Sequence, residues 1–98
     1  MTYLLAHLTC RPGHRPEFMT AAKAMIAATR LEPECTLYDL SMSITDPQPM
    51  IFAEAWKRRH ALAEHFETPH MAAWRKASEE YFTGRRIEVI HPEKVEIL

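Results

Sequence analysis

Two glycines and no asparagine occur in the 98 residues, and both scarcities exclude chemistry. A GxGxxG or Walker-type loop needs glycine-rich backbone to cradle phosphates, and two glycines supply neither. No GxSxG elbow and no activated-cysteine motif is present. Cys10 and Cys35 stand far apart without CxxC spacing, so neither a disulfide framework nor a zinc pattern is expected. The thiols read as small buried hydrophobes of a reduced, cytoplasmic protein. Charge of one sign is lacking as well: a net charge of -1 offers no field to gather nucleic acid or anionic lipid. The apolar start MTYLLAHLTCRPG is too short for a membrane span and lacks the basic flank of a secretory signal. Nucleotide, nucleic acid and membrane are therefore not expected as partners.

Proline, by contrast, is plentiful at seven residues, and it punctuates the chain. Thr2 to Cys10 is a mostly apolar run that stops at the turn signal Arg11-Pro12-Gly13. From Pro16 to Arg30 helix formers take over, with Phe18, Ala22, Met25, Ile26 and Thr29 at helical spacing. Pro33 ends that helix, and Glu17 favours its positive end. Strand period returns at Thr36, Tyr38, Leu40, Met42 and Ile44, with Leu37, Asp39, Ser41 and Ser43 facing the other way. Asp46-Pro47-Gln48-Pro49 breaks the sheet before a strand over Met50 to Lys57. Two helical segments follow, Arg59 to Phe66 and Pro69 to Phe82. A fourth strand spans Arg85 to His91, and Val95 to Leu98 offers a short terminal one.

The order is β-α-β-β-α-β with its second helix broken at Thr68-Pro69. That is the ferredoxin-like α+β arrangement, an antiparallel sheet with helices on one face, here as a single domain over 1–98. Tyr3-Leu4-Leu5-Ala6 and Met50-Ile51-Phe52-Ala53 are apolar on both faces, which would leave a contiguous apolar patch uncovered. The expectation is a two-fold homodimer packed sheet against sheet, with the segment 92–98 reaching across to the partner.

Four runs carry a family likeness: Tyr38-Asp39-Leu40, Glu54-x-Trp56, Ala61-Leu62-x-x-His65 and Thr68-Pro69-His70. Together they resemble the antibiotic biosynthesis monooxygenase (ABM) superfamily, over essentially the whole chain. The resemblance implies a dimeric α+β barrel. It also implies a choice of chemistries: cofactor-independent oxidation of polyketide or quinol substrates, isomerisation of a phosphorylated quorum-signal sugar, or haem degradation. Haem-degrading relatives need a strand asparagine, and this chain has none.

The candidate site residues follow from their own chemistry. Thr68 suits an N-cap and Pro69 the first helical position, which puts His70 in the first turn. A neutral imidazole there can take a proton from a phenol or hydrogen-bond a carbonyl, or it can simply pack at the helix junction. His65 lies five residues earlier across the break. That spacing is poor for a chelate, so no metal is expected, and His65 is either a core histidine or a second base. His7, inside the first strand, is a third acid or base if its face meets a pocket.

Trp56 and Glu54 share a strand face with Phe52. Trp56 is a core residue or a wall for a planar substrate, and Glu54 is expected to pair with a cation such as an arginine. Tyr38 points either into a pocket or to the surface, while Phe66 and Trp74 would exclude water and hold a ring. Arg85 or Arg86 offers a grip for phosphate.

The function implied is a monooxygenase that needs no cofactor and uses a small phenolic, quinol or anthrone-type substrate as its own reductant for dioxygen. Isomerisation of a small carbonyl compound, phosphorylated or not, and non-catalytic binding of a small molecule are the alternatives.

Overall fold

The computed structural model describes all residues, Met1–Leu98. Its first strand, β1 (Thr2–Cys10), alternates strictly: Thr2, Leu4, Ala6, Leu8 and Cys10 are buried, and the odd positions are not. Gly13, at φ 86°, turns the chain into α1 (Arg15–Thr29). Pro16 opens that helix with a fixed φ, and Phe18, Ala22, Met25 and Thr29 form the stripe it buries. β2 (Cys35–Met42) and β3 (Pro49–Trp56) form an antiparallel hairpin. Then come α2 (Arg59–Phe66), α3 (Pro69–Ser78) and β4 (Phe82–Ile90).

The strands lie in the order β2-β3-β1-β4, every neighbouring pair antiparallel. This is the ferredoxin-like α+β fold, and the core fills the space between one sheet face and the helices. Trp56, Phe18, Leu4, Leu62 and His65 are its largest fully enclosed side chains. At roughly 1.5–3 kcal/mol for each large apolar side chain buried, this layer supplies much of the drive to fold.

Several boundaries differ from the sequence reading, β2 for one ending at Met42 before Ile44. α3 stops at Ser78 and β4 begins at Phe82, whereas helical periodicity ran through Phe82. The Arg11 amide donates to the Tyr81 carbonyl at 2.7 Å, and Phe82 pairs with Cys10 across a shift in register. Sheet pairing thus overrides local helix preference. No strand forms over Val95–Leu98; Ile97 and Leu98 are fully exposed.

The second sheet face has no helix on it. Tyr3, Leu5 and His7 occupy it from β1, across from Ala55, Ala53 and Ile51 of β3 and from Ile90, Glu88 and Arg86 of β4. Leu37 and Ile90 are among the exposed large apolar side chains there. No helix is long and apolar enough to cross a membrane.

Candidate functional site

A cavity of about 260 Å³ opens between the covered sheet face and the helices α2 and α3. Leu4, Ala6 and Leu8 of β1 contribute its sheet side, and Phe66, Met71 and Trp74 its helix side. The lining is apolar except for Tyr38, Glu54, Arg75 and Arg85. Both arginines are exposed and stand at the mouth, whereas Tyr38 and Glu54 are buried. Polar groups thus lie at opposite ends of an otherwise oily space, an arrangement that orients a ligand.

The inner end is built by strand geometry. Tyr38 of β2 lies directly across the ladder from Glu54 of β3, on the same face. Two residues further along β3, the Trp56 indole N–H donates to Glu54 Oε1 at 3.0 Å. Burial pushes the Glu54 carboxyl up to about 7, and the opposing hydrogen bond from Trp56 only moderates the rise. The cation expected beside Glu54 is not there; its charged form is met by the Trp56 indole. Burial, reinforced by Glu54, also holds the Tyr38 phenol far above its ordinary value.

Behind Tyr38 lies a second layer. The Tyr38 hydroxyl stands 3.5 Å from His65 Nε2, while His65 Nδ1 reaches Glu32 Oε2 at 2.7 Å. His70 Nε2 meets that same Glu32 oxygen at 2.8 Å. One carboxylate oxygen facing two imidazoles requires each ring to donate its N–H to it, in a charge-assisted pair of bonds. His65 therefore carries its proton on Nδ1 and accepts from Tyr38 through Nε2. Burial lowers the His65 pKa, outweighing the attraction of Glu32, in keeping with a neutral ring.

Local capping sets this up. Thr68 Oγ1 accepts from the Met71 amide at 3.3 Å and donates to the His65 carbonyl at 2.7 Å, pinning the end of α2 to the start of α3.

Several anticipated site residues lie elsewhere. His65 and His70 do not line the cavity: His65 is enclosed behind Tyr38, and His70 borders a groove between α1 and α3. His7 is on the uncovered sheet face, because it occupies an odd position of β1, and it bonds Glu88 at 3.1 Å. Trp56 is fully buried behind the cavity, its ring centroid 4.8 Å from that of His65 and 6.3 Å from that of Tyr38. Arg86 shares the outer face with Glu88, which leaves Arg85 as the member of that pair at the cavity. Tyr38, Glu54, Phe66 and Trp74 do line it. Arg75 and Glu32 were not singled out from sequence. Only Glu32 carried a chemical signal, as an acid beside a helix-ending proline.

This architecture matches a described group of proteins. The family model for antibiotic biosynthesis monooxygenases aligns with residues 1–77. The chain belongs to that family. Rv0793 of Mycobacterium tuberculosis is 34% identical over 80 residues, spanning 82% of this chain and 78% of that relative. YcnE of Bacillus subtilis is 30% identical over 70 residues, or 71% and 74% of the two chains. Both carry provisional monooxygenase names. A Synechocystis protein of uncharacterised role, sll1783, is 31% identical over 64 residues, and the match spans only 44% of its length. Among solved ABM-family structures, Rv0793 superposes with a TM-score of 0.88 at 29% identity, covering 96% of each chain. A Nitrosomonas europaea protein reaches 0.90 at 22% identity, covering 96% of this chain and all of its own, which speaks for the fold alone.

Proposed function

We propose that this ABM protein is a cofactor-independent monooxygenase of a small quinol, with Glu54 as the base. The observation that carries the reading is Glu54 itself: a buried carboxyl without a cation, at the inner end of an apolar cavity, ionising at about 7. A base works best when its pKa lies near the working pH. A cavity of roughly 150 Å³ takes a benzene ring, so about 260 Å³ suits one substituted ring or a fused pair.

In this reading the quinol enters with its ring against Phe66 and Trp74 and one hydroxyl toward Tyr38 and Glu54. Glu54 takes the hydroxyl proton, and the electron-rich anion reduces dioxygen. One oxygen atom forms a new carbon–oxygen bond on the ring and the other leaves as water. The quinol thus becomes a hydroxyquinone, and one dioxygen is consumed per turnover. Tyr38, oriented by His65, holds the ring, while the apolar walls keep bulk water from the anion.

The family and the uncovered sheet face together support a two-fold dimer formed through that face. The exposed apolar side chains Val95, Ile97 and Leu98 after Pro92 suit a segment that crosses onto the partner.

Arg75 and Arg85 at the mouth favour one further reading, an isomerase of an anionic, phosphorylated carbonyl compound. Oxygen uptake separates the two. Purified wild type, Glu54→Gln and a protein-free control are compared with a panel of hydroquinones in an oxygen electrode. Uptake well above the control, falling about 100-fold or more in the variant, is expected. Uptake equal to the control overturns the oxygenase reading, and uptake unaltered in Glu54→Gln removes Glu54 as base.

A further inference from the structure

Outside the cavity, three ligand-type side chains converge from three elements distant in sequence. Glu32 lies in the turn between α1 and β2, His65 in the last turn of α2 and His70 in the first turn of α3. Glu32 Oε2, His65 Nδ1 and His70 Nε2 all lie within 4.8 Å of one another. We propose that these three residues bind a divalent transition-metal ion of the zinc type, and that its arrival reverses the hydrogen bond between His65 and Tyr38.

The donor set decides the class of ion. Two imidazoles and one carboxylate suit zinc, cobalt, nickel or ferrous iron, whereas calcium and magnesium call for oxygen ligands throughout. An ion about 2.0–2.1 Å from each atom sets tetrahedral ligands about 3.3 Å apart. The present separations of 2.7 and 2.8 Å from Glu32 to the two rings must therefore widen by roughly half an ångström. Glu32 stands in a turn, where its side chain can withdraw that far. His65 is wholly buried, while the Glu32 and His70 side chains remain 15% and 22% exposed. An ion thus has an entry path from the Glu32–His70 side and room there for water as fourth ligand. The Thr68 cap already holds the two histidine-bearing helix ends together.

The consequence for the cavity follows from proton bookkeeping. Without an ion, His65 donates from Nδ1 to Glu32 and accepts from the Tyr38 hydroxyl at Nε2. With an ion on Nδ1, the single ring proton resides on Nε2 and is donated to the Tyr38 oxygen. No proton is gained or lost at His65; only its tautomer changes. The Tyr38 hydroxyl proton is then released to Glu54 or to a ligand in the cavity. The ion itself stays behind Tyr38 and His65, out of reach of a substrate. It acts as a setting of the hydrogen-bond direction, not as an oxidation catalyst, and the proposal stands whether or not the quinol reading does.

The test uses chelator-treated full-length protein titrated with zinc chloride and, separately, cobalt chloride. Expected are one ion per chain by calorimetry, visible d–d bands of low-coordinate cobalt, and a His65 Nε2–H signal in long-range ¹H–¹⁵N spectra of the zinc form. Glu32→Gln and His70→Ala, both at partly exposed positions, should weaken binding by about 100-fold or more, while His60→Ala leaves it unaltered. Absence of saturable one-to-one binding overturns the site. So does undiminished binding by His70→Ala, which would assign the ion to surface histidines. One-to-one binding with His65 still protonated on Nδ1 keeps the site and overturns the link to Tyr38.

Discussion

Glu54 is a carboxyl kept in the protein without a counter-ion, and this has two opposite effects. Its pKa of about 7 in the fold, against an ordinary 4.5, makes the protonated form the stable partner of the native state. That contribution is complete below about pH 4.5 and is lost as pH rises through 7, amounting to ~3 kcal/mol. Glu54→Gln should therefore match wild type in urea melts at pH 4 and exceed it clearly at pH 8. Equal stabilities at both pH values would contradict the burial argument.

On the proposed reading of Glu54 as base, activity runs the other way, because the base must be ionised. Turnover should climb with pH through about 7 and level off above it. Trp56→Phe removes the N–H that favours the carboxylate, so the rising limb of that profile should move to more alkaline pH. An unmoved limb would mean that the indole bond does not tune the base.

At the scale of elements, the junction between α2 and α3 organises the site. Thr68→Ala deletes an N-cap and the bond to the His65 carbonyl together. A loss of about 1–2 kcal/mol is expected. For a chain of this size each kcal/mol lowers the melting temperature by about 4–8 °C, which calorimetry resolves readily.

This junction was legible in the sequence, since Thr-Pro before a helical run is a local signal that needs no knowledge of the fold. The β-α-β-β-α-β order was legible for the same reason. The α3–β4 boundary was not, because what ends the helix near Tyr81 is a pairing with β1 more than seventy residues away in sequence. Glu32 was illegible as a partner for the histidines: 33 and 38 residues separate it from His65 and His70, and nothing local marks the approach. The same limit applied to Glu54. Sequence placed it beside Trp56 on one strand face, yet whether burial or a cation would set its charge depends on what the helices bring over it. His7 illustrates the cost of alternation: the strand was recognised, but which parity faces the helices is decided only when the sheet is covered.

At the scale of the whole molecule, the open sheet face governs behaviour in solution. Leu5 lies on it between Ala53 and Glu88, away from the cavity. Light scattering at micromolar concentration should give a mass near twice 11.4 kDa for wild type, and Leu5→Lys should shift it toward a single chain. A wild-type protein already at the single-chain mass would remove the sheet-to-sheet dimer.

The placement of the helices on one side of the sheet has a further consequence, for binding equilibria. Each cavity opens on the helix side, so in a dimer joined through the bare sides the two cavities would face away from each other. Two packed sheets would stand between them. Filling one cavity then gives the other no message, and each protomer saturates on its own terms. Ligand binding should follow a simple hyperbola with a Hill coefficient near one.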